Sequence, residues 1–543
     1  LGAKVIEYDA VIIGAGHNGL ACAFYLARAG LRVRVVERLD VVGGAAVTEE
    51  FHPGFRNSVA AYTVGLLHPR IIADMRLHAH GLQVVERRAM NFLPGEHGYL
   101  LTRADDMQGS IARVSPRDAA AYPAYAAEID RAGDVLRQWL LRTPPNLPGP
   151  SWRDKALQAA RLLSLGRDLR RLDADGLASV HDLFTRSAGD MLDRWFENDL
   201  VKALFGFDAV VGNYASPYTP GSAYVLLHHT FGEVNGKRGV WGHAIGGMGA
   251  ITQAMAKAAR EAGAEISLSS PVREVVVEKE RARGVVLSDG TALRAKAVVA
   301  NVNPKLLYGA LVPRDALAPD FSARMSAYRC ESATFRMNVA LSELPRFSVL
   351  PEQGDHLSAG VIIAPSLSYM DRAYAQARLD GWSSQPIIEM LIPSTLDSTL
   401  APEGQHVASL FCQHTAYDLG GRTWEACRDE VADLMIATVD AHAPGFAKSV
   451  IARQALSPHD LEQRFGLVGG DIFHGALGLD QIFSARPVLG HADYRGPLAG
   501  LYHCGSGAHP GGGVTGAPGH NAAREIVADM RAHSRAFMRP QSA

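Results

Sequence analysis

A chain of 543 residues is too long for one compact core, so two domains, interleaved or consecutive, are expected. With 47% hydrophobic and 20% charged residues and a formal net charge of −2, the composition is that of a globular enzyme and offers no broad field to nucleic acid or an anionic membrane. The five scattered cysteines form no CxxC-type pair, which argues against a disulfide scaffold, a zinc ribbon or a dithiol redox centre, and no run of about eighteen apolar residues marks a membrane span.

In chain order, Tyr8 to Ile13 reads as a buried parallel strand. It runs into Gly14-Ala15-Gly16-His17-Asn18-Gly19. Leu20 to Ala29 reads as a helix stopped by Gly30, and Leu31 to Val36 as a second buried strand ending at Glu37. Strand, GxGxxG, helix, strand and acid make up a dinucleotide-binding unit. Gly14 permits the turn, Gly16 lets backbone approach the pyrophosphate, and Gly19 lets helix pack on strand. Free N–H groups at the helix start face the phosphates, so His17 and Asn18 are cofactor candidates with the glycines. Glu37 suits ribose hydroxyls and argues against a 2′-phosphate. After Arg38 comes a second pair, Gly43-Gly44, then Ala45. NAD has no need of that pair. A cofactor that continues past the pyrophosphate to a ribityl chain and flavin does, so FAD is expected, and the α/β Rossmann-type unit is an FAD-binding domain.

Residues 77–240 are mainly helical in pattern, and Ser115-Pro116 is a good helix start. Leu141 to Pro150 reads as an exposed break. Ser151 to Leu172 interleaves Trp152, Leu157, Leu162, Leu163, Leu165 and Leu169 with six Lys and Arg residues. The preferred reading is a solvated helix covering its own core, and the alternative is peripheral membrane contact. His228 and His229 point about 100° apart on a helix, and no metal site is expected.

Ile251 to Ala262 reads as a helix. Ile266–Leu268, Val272–Glu278, Gly284–Leu287 and Ala297–Ala300 read as strands, with a hairpin turn at Ser288-Asp289-Gly290. Gly246-Gly247-Met248-Gly249 lacks the GxGxxG spacing, so no separate NAD(P)H domain is expected. Strand-like runs at Thr334–Leu341, Pro386–Ile392 and His406–His414 suggest an antiparallel sheet forming one wall of a pocket. Near the end, a short strand at Gly500–Cys504 leads into Gly505-Ser506-Gly507-Ala508-His509-Pro510-Gly511-Gly512-Gly513-Val514-Thr515-Gly516 and then a helix. This loop is expected beside the flavin, with Gly505, Ser506, Gly513, Val514 and Thr515 on the cofactor. His509 is a candidate base or substrate-orienting group, weighed evenly against a structural role. Arg486 is a candidate for holding a substrate group or developing negative charge, with a structural ion pair preferred.

The segments GAGHNGL, GGAAVTEE and YHCGSGAHPGGGVTGAPGHNAA resemble a phytoene-desaturase-like group of FAD flavoproteins. The group includes desaturase-type carotene ketolases and pyridine nucleotide-disulfide oxidoreductase domain-containing proteins. The resemblance extends through Trp195-Phe196-Glu197, Gly246 to Ala250 and Ala485-Arg486-Pro487. It implies a glutathione-reductase/amine-oxidase-like FAD-binding domain (residues 1–76, 241–305 and 496–543) interleaved with a mixed α+β substrate domain (77–240 and 306–495). It also implies a Val272 backbone contact to adenine. Many relatives carry Arg where this chain has Ala45, and Asp where it has Ser506. The implied activity is hydride abstraction or desaturation of a small lipophilic, isoprenoid- or polyene-like substrate. With no NAD(P)H domain in view, oxygen or a quinone is the expected acceptor. One alternative is an amine or small-molecule oxidase, disfavoured by the lack of Trp, Tyr and Phe from His503 to Gly519. Another is a non-catalytic flavoprotein with a partner-binding role. The expected location is cytoplasmic, or the mitochondrial matrix for an animal-type relative. The oligomeric state is left open.

Overall fold

Two seven-stranded sheets organise the chain in the computed structural model, which describes residues 7–147, 149, 151–331 and 333–537. In the first sheet, Glu265–Ser267, Val33–Val36, Glu7–Ile13 and Ala292–Ala300 lie side by side, all parallel. Ala292–Ala300 is then flanked along its first half by antiparallel Arg281–Leu287, which pairs with Val272–Glu278. Leu501–His503 lies parallel to its last three residues. Residues near both chain ends thus share one sheet.

The side-chain period of two explains why these strands are apolar throughout. Ala10, Ile12, Val33, Val35, Ala297 and Val299 face one buried cluster, which also takes in residues of the helices His17–Arg28, Met248–Glu261 and Ala517–Phe537. Val11, Ile13, Val36, Val298 and Ala300 face a second cluster on the other side. Gly519 lets the last helix touch the first, since a Cβ there would stand 2.0 Å from the Asn18 carbonyl oxygen. The first helix starts at His17, three residues before the sequence pattern placed it, because Gly16 is the N-cap and His17-Asn18-Gly19 already form its first turn. The hairpin turn falls at Ser288 to Gly290 as expected.

The second sheet runs Val450–Leu456, Phe335–Leu341, His406–Thr415, Trp382–Leu391, Gly360–Ile363, Asn91–Pro94 and Tyr99–Leu101. Its pairs are antiparallel except Gly360–Ile363 with Asn91–Pro94. On one face Phe335, Met337, Val339, Ile388, Met390, Leu410 and Cys412 pack with Trp424, Val431 and Met435 of the helix Trp424–His442. The other face carries Arg336, Asn338, Glu389, Ser409 and Phe411. Helices of residues 107–137 and 174–230 pack beside that face. Pro116–Arg137 begins as expected, with Ser115 Oγ accepting from the Asp118 N–H. Pro148 and Pro150 of the expected break lie outside the described residues. No helix among the described residues is long and apolar enough to cross a membrane.

Candidate cofactor cleft and substrate pocket

A cleft opens at the C-terminal ends of the parallel strands. Its walls include Gly14, Gly16, His17, Glu37, Arg38, Gly43, Gly44, Ala45, Val272 and Ser506. This is where an open α/β sheet binds ligands, and the local chain explains why. Gly14 has φ of 97° and a Cβ there would meet the Asn301 carbonyl oxygen at 3.1 Å; one on Gly16 would meet the Asn301 side-chain amide at 2.9 Å. On Gly19 it would stand 2.2 Å from the Gly14 carbonyl oxygen. Each glycine is therefore required by backbone or by Asn301. In the amide orientation that satisfies both, Asn301 Oδ1 accepts from Gly16 and Gly19 N–H at 3.2 Å. Asn301 was missed from the sequence. Its only signal is a polar residue directly after an apolar strand.

Glu37 is buried and holds two turns. Ala15 N–H donates to its Oε2 at 2.7 Å and Leu39 N–H to its Oε1 at 3.0 Å. The second glycine pair is joined to the first loop, with Gly43 N–H donating to the Ala15 carbonyl at 3.0 Å. Gly43 has φ of 132° and Gly44 of 57°. Arg38 reaches the cleft wall, but its guanidinium donates to the carbonyls of Arg464 (2.6 Å) and Gln463 (3.3 Å) at the end of the helix Pro458–Phe465. These two bonds brace the cleft wall, which Arg38 itself lines.

A second cavity continues from the first, sharing His17, Ala45, Leu467, His474 and Ser506. Gly513 and Val514 line it. Val514 has φ of 58°, a left-handed backbone that is costly for a β-branched residue. Burial pushes His17 down to about 4 and His474 to about 3, so both are neutral at pH 7. His17 Nε2 and His474 Nδ1 have no hydrogen-bond partner among the described residues. Unpartnered buried nitrogens at the junction of the two cavities, and a glycine cradle that any Cβ would fill, suit a long cofactor with polar edges. Asn18 Nδ2 donates to Ser506 Oγ at 3.1 Å, joining the two glycine loops. Gly505 packs behind them, where a Cβ would stand 3.2 Å from the Asn301 side-chain amide.

Three expectations are corrected. Arg486 is fully buried and donates to the carbonyls of Phe473 (2.6 Å), Ser506 (2.9 Å), Gln481 (3.1 Å) and Gly475 (3.3 Å). It lines neither cavity and forms no ion pair among the described residues; it ties two loops together. His509 Nε2 donates to the Trp139 carbonyl at 3.0 Å, and the ring packs edge-on to Phe483. Burial pushes it down to about 4. It lines neither cavity, so it fixes the loop from behind. Thr515 also lies off both cavities, its Oγ1 accepting from Ala517 N–H at the start of the last helix. His509 and Thr515 were read from their place in the glycine loop and Arg486 from its place before Pro487, and neither says which way a side chain turns.

The far end of the second cavity was not read from sequence. Tyr62, Trp241, Phe207, Phe411, Ile472 and Phe473 supply apolar surface, with Asp208 and Glu389 among them. Glu389 and Phe411 are register partners on adjacent strands, so they share a face. The Tyr62 hydroxyl donates to Glu389 Oε2, and Arg87 Nη1 lies 3.9 Å from Glu389 Oε1. Arg336 sits 4.6 Å from the centre of the Tyr62 ring. Burial, and then the charge of Glu389, pushes Asp208 up to about 8. The missed signal was period-two polarity: Arg336 and Asn338, Ser409, and Glu389 break otherwise apolar strands on one face. The aromatic walls come from five segments distant from His503–Gly519, so the lack of aromatics in that loop does not bear on the pocket. The side chains of His228 and His229 lie outside the described residues, and among the described residues no group of three or more His, Cys, Asp or Glu stands together as a metal site.

The family model for flavin containing amine oxidoreductase matches residues 19–332. The chain is 42% identical to pyridine nucleotide-disulfide oxidoreductase domain-containing protein 2 of Rattus norvegicus, over 97% of this chain and 94% of that one. It is 24% identical to a lycopene-forming phytoene desaturase of Pantoea ananas, over 94% and 96%. Its fold is similar to that of a putrescine oxidase triple mutant, with a TM-score of 0.62 at 16% identity, covering 98% of this chain and all of that one. The glycine cradle, the buried acid and the paired cavities therefore belong to an oxidoreductase of the flavin-containing amine oxidoreductase family, which binds FAD.

Proposed function

We propose that this FAD-dependent oxidoreductase desaturates a lipophilic, isoprenoid- or polyene-like substrate, hydride leaving one carbon for the flavin and a proton leaving the adjacent carbon for water, with oxygen or a quinone as the final electron acceptor. The observation that carries the reading is the apolar cavity continuous with the cofactor cleft, walled by Tyr62, Phe207, Trp241, Phe411, Ile472 and Phe473. Bound FAD supplies the two-electron acceptor. The chain's own contribution is to bind and orient. Aromatic walls hold an apolar chain and keep water from the reacting carbon. Neutral His17 and His474 line the junction where the two cavities meet and bring no charge to it. The likeness to a phytoene desaturase supports the substrate class.

A second reading, oxidation of an amine or other small molecule, is favoured by one observation: Asp208 and Glu389 face the same cavity. A carboxylate pair there would hold a cation. Against it, Asp208 is protonated at neutral pH because burial pushes it up to about 8.

Anaerobic mixing of the yellow protein with a panel of polyenes and isoprenoids tests the first reading. Bleaching of the flavin band, followed by recovery with oxygen or a quinone, is expected. Rapid bleaching by NADPH alone overturns the choice of acceptor. Peroxide release from amines with no response to polyenes selects the second reading.

A further inference from the structure

The helix Trp152–Leu169 is built the wrong way round for a helix that covers a core. Its two buried residues are polar, Gln158 and Asp168. Gln158 Oε1 accepts from Asn146 N–H at 2.7 Å, and Arg142 and Trp139 both donate to Asp168 Oδ2. Half-buried Arg161 donates to Glu525 at 3.2 Å. The helix is thus docked to the body largely through polar contacts, and the sequence reading that it covers its own core is corrected.

Its outward face is apolar. Trp152 is 74% exposed and Leu163 is 71% exposed. They lie eleven residues apart, three turns on, and so point the same way. Ala156 and Ala159 fill the stripe between them, both exposed, and Leu162 borders it at 56% exposed. Leu147 and Leu489 continue the exposed surface beside the helix, where Asn146 Nδ2 donates to the Gly490 carbonyl at 2.9 Å. Around the stripe stand Arg153, Lys155, Arg167 and Arg170, all exposed and none in an ion pair with a described residue. Asp154 is turned to Ser151 at the helix start, with Ser151 Oγ donating to its Oδ2 at 2.5 Å.

We infer that this face docks on an anionic lipid bilayer. Trp152, Leu162 and Leu163 enter the boundary between headgroups and acyl chains, and the four cations meet lipid phosphates. A Trp with flanking Arg and Lys residues suits that boundary. Opposite charge in the partner fits this face, because Arg153, Lys155, Arg167 and Arg170 are exposed and form no ion pair among the described residues. The inference stands on the surface alone and holds whichever substrate the pocket takes.

The test is co-sedimentation of the full-length holoprotein with vesicles of phosphatidylcholine alone or mixed with phosphatidylglycerol. Binding to the mixed vesicles is expected, weakening with salt, with little binding to phosphatidylcholine alone. The double substitution Trp152→Asp, Leu163→Asp lowers the bound fraction by about tenfold or more. Both positions are exposed, so flavin content and unfolding temperature stay at wild-type values and separate lost docking from lost folding. Absence of vesicle binding, or binding that the double variant retains, overturns the inference. Concentration-dependent self-association that the double variant abolishes, with no vesicle binding, assigns the face to a second copy of this chain and also overturns it.

Discussion

The cofactor cleft and the pocket beyond it share a wall but are made in different ways. The cleft is mostly backbone: N–H groups at Gly16 and Gly19, glycines at positive φ, and one buried acid that shapes two turns. Much of it comes from residues 14–45. The pocket is side chains from at least five separate stretches, with Tyr62, Asp208, Trp241, Glu389 and Phe473 meeting only in the fold. Backbone sites tolerate no Cβ and so leave a spacing in the sequence. Side-chain sites tolerate exchange of one surface for another and leave almost none.

The largest effect should break both regions at once. Arg486→Met leaves the carbonyls of Phe473, Gln481, Gly475 and Ser506 without that donor in a dry interior. A loss on the order of 3 kcal/mol or more of unfolding free energy is expected, read by urea unfolding, together with loss of bound flavin. If Arg486 were instead a substrate contact, stability would hold and only turnover would fall.

Next, Gly19→Ala tests the cleft alone. The added Cβ meets the Gly14 carbonyl oxygen. The expected outcome is a colourless protein with about 1–3 kcal/mol lower stability, checked by absorbance and denaturation. Glu37→Ala is milder. It removes the acceptor for Ala15 and Leu39 N–H, and FAD affinity should fall about tenfold to a hundredfold, measured by fluorescence titration.

Asp208→Asn should leave the cleft untouched and change only the pocket. Asp208 moves from an ordinary 3.8 up to about 8 in the fold. A raised carboxyl binds its proton in the native state while the unfolded chain has lost it, so stability falls as pH rises from about 4 to about 8. The Asn variant should flatten that limb of the unfolding-temperature profile with unchanged FAD content.

The smallest expected effect is at His509. Its ordinary value of 6.5 drops to about 4 in the fold, so its contribution is complete above 6.5 and is lost as pH falls through 4. His509→Gln, which keeps a donor toward Trp139, should reduce acid sensitivity in that window and leave turnover near wild type. A large loss of turnover would return His509 to the reacting centre.

Legibility follows the same division. The first strand, the glycine loop, Glu37, the second glycine pair and the hairpin at Ser288–Gly290 were all readable, because each is set by neighbours within a few residues. Ser115 as a helix cap was readable for the same reason. Asn301 was not, since it reaches the loop only because Ala292–Ala300 pairs with Glu7–Ile13. His509 and Thr515 were placed by their position in a glycine loop and Arg486 by its position before Pro487, yet each side chain turns away from the cavities. The helix Trp152–Leu169 misled in the opposite direction: its leucines looked like core, and the fold buries its polar residues instead.

By itself the sequence determined a dinucleotide unit that must bind FAD-like length, since glycine positions and a strand-end acid are demanded by local backbone geometry. Tertiary structure alone decided which side chains line the second cavity, because strand pairing across hundreds of residues brings Glu389 to Tyr62 and leaves Trp152 in solvent. Contacts between residues far apart in the chain depend on packing, and packing has no period that a linear reading can follow.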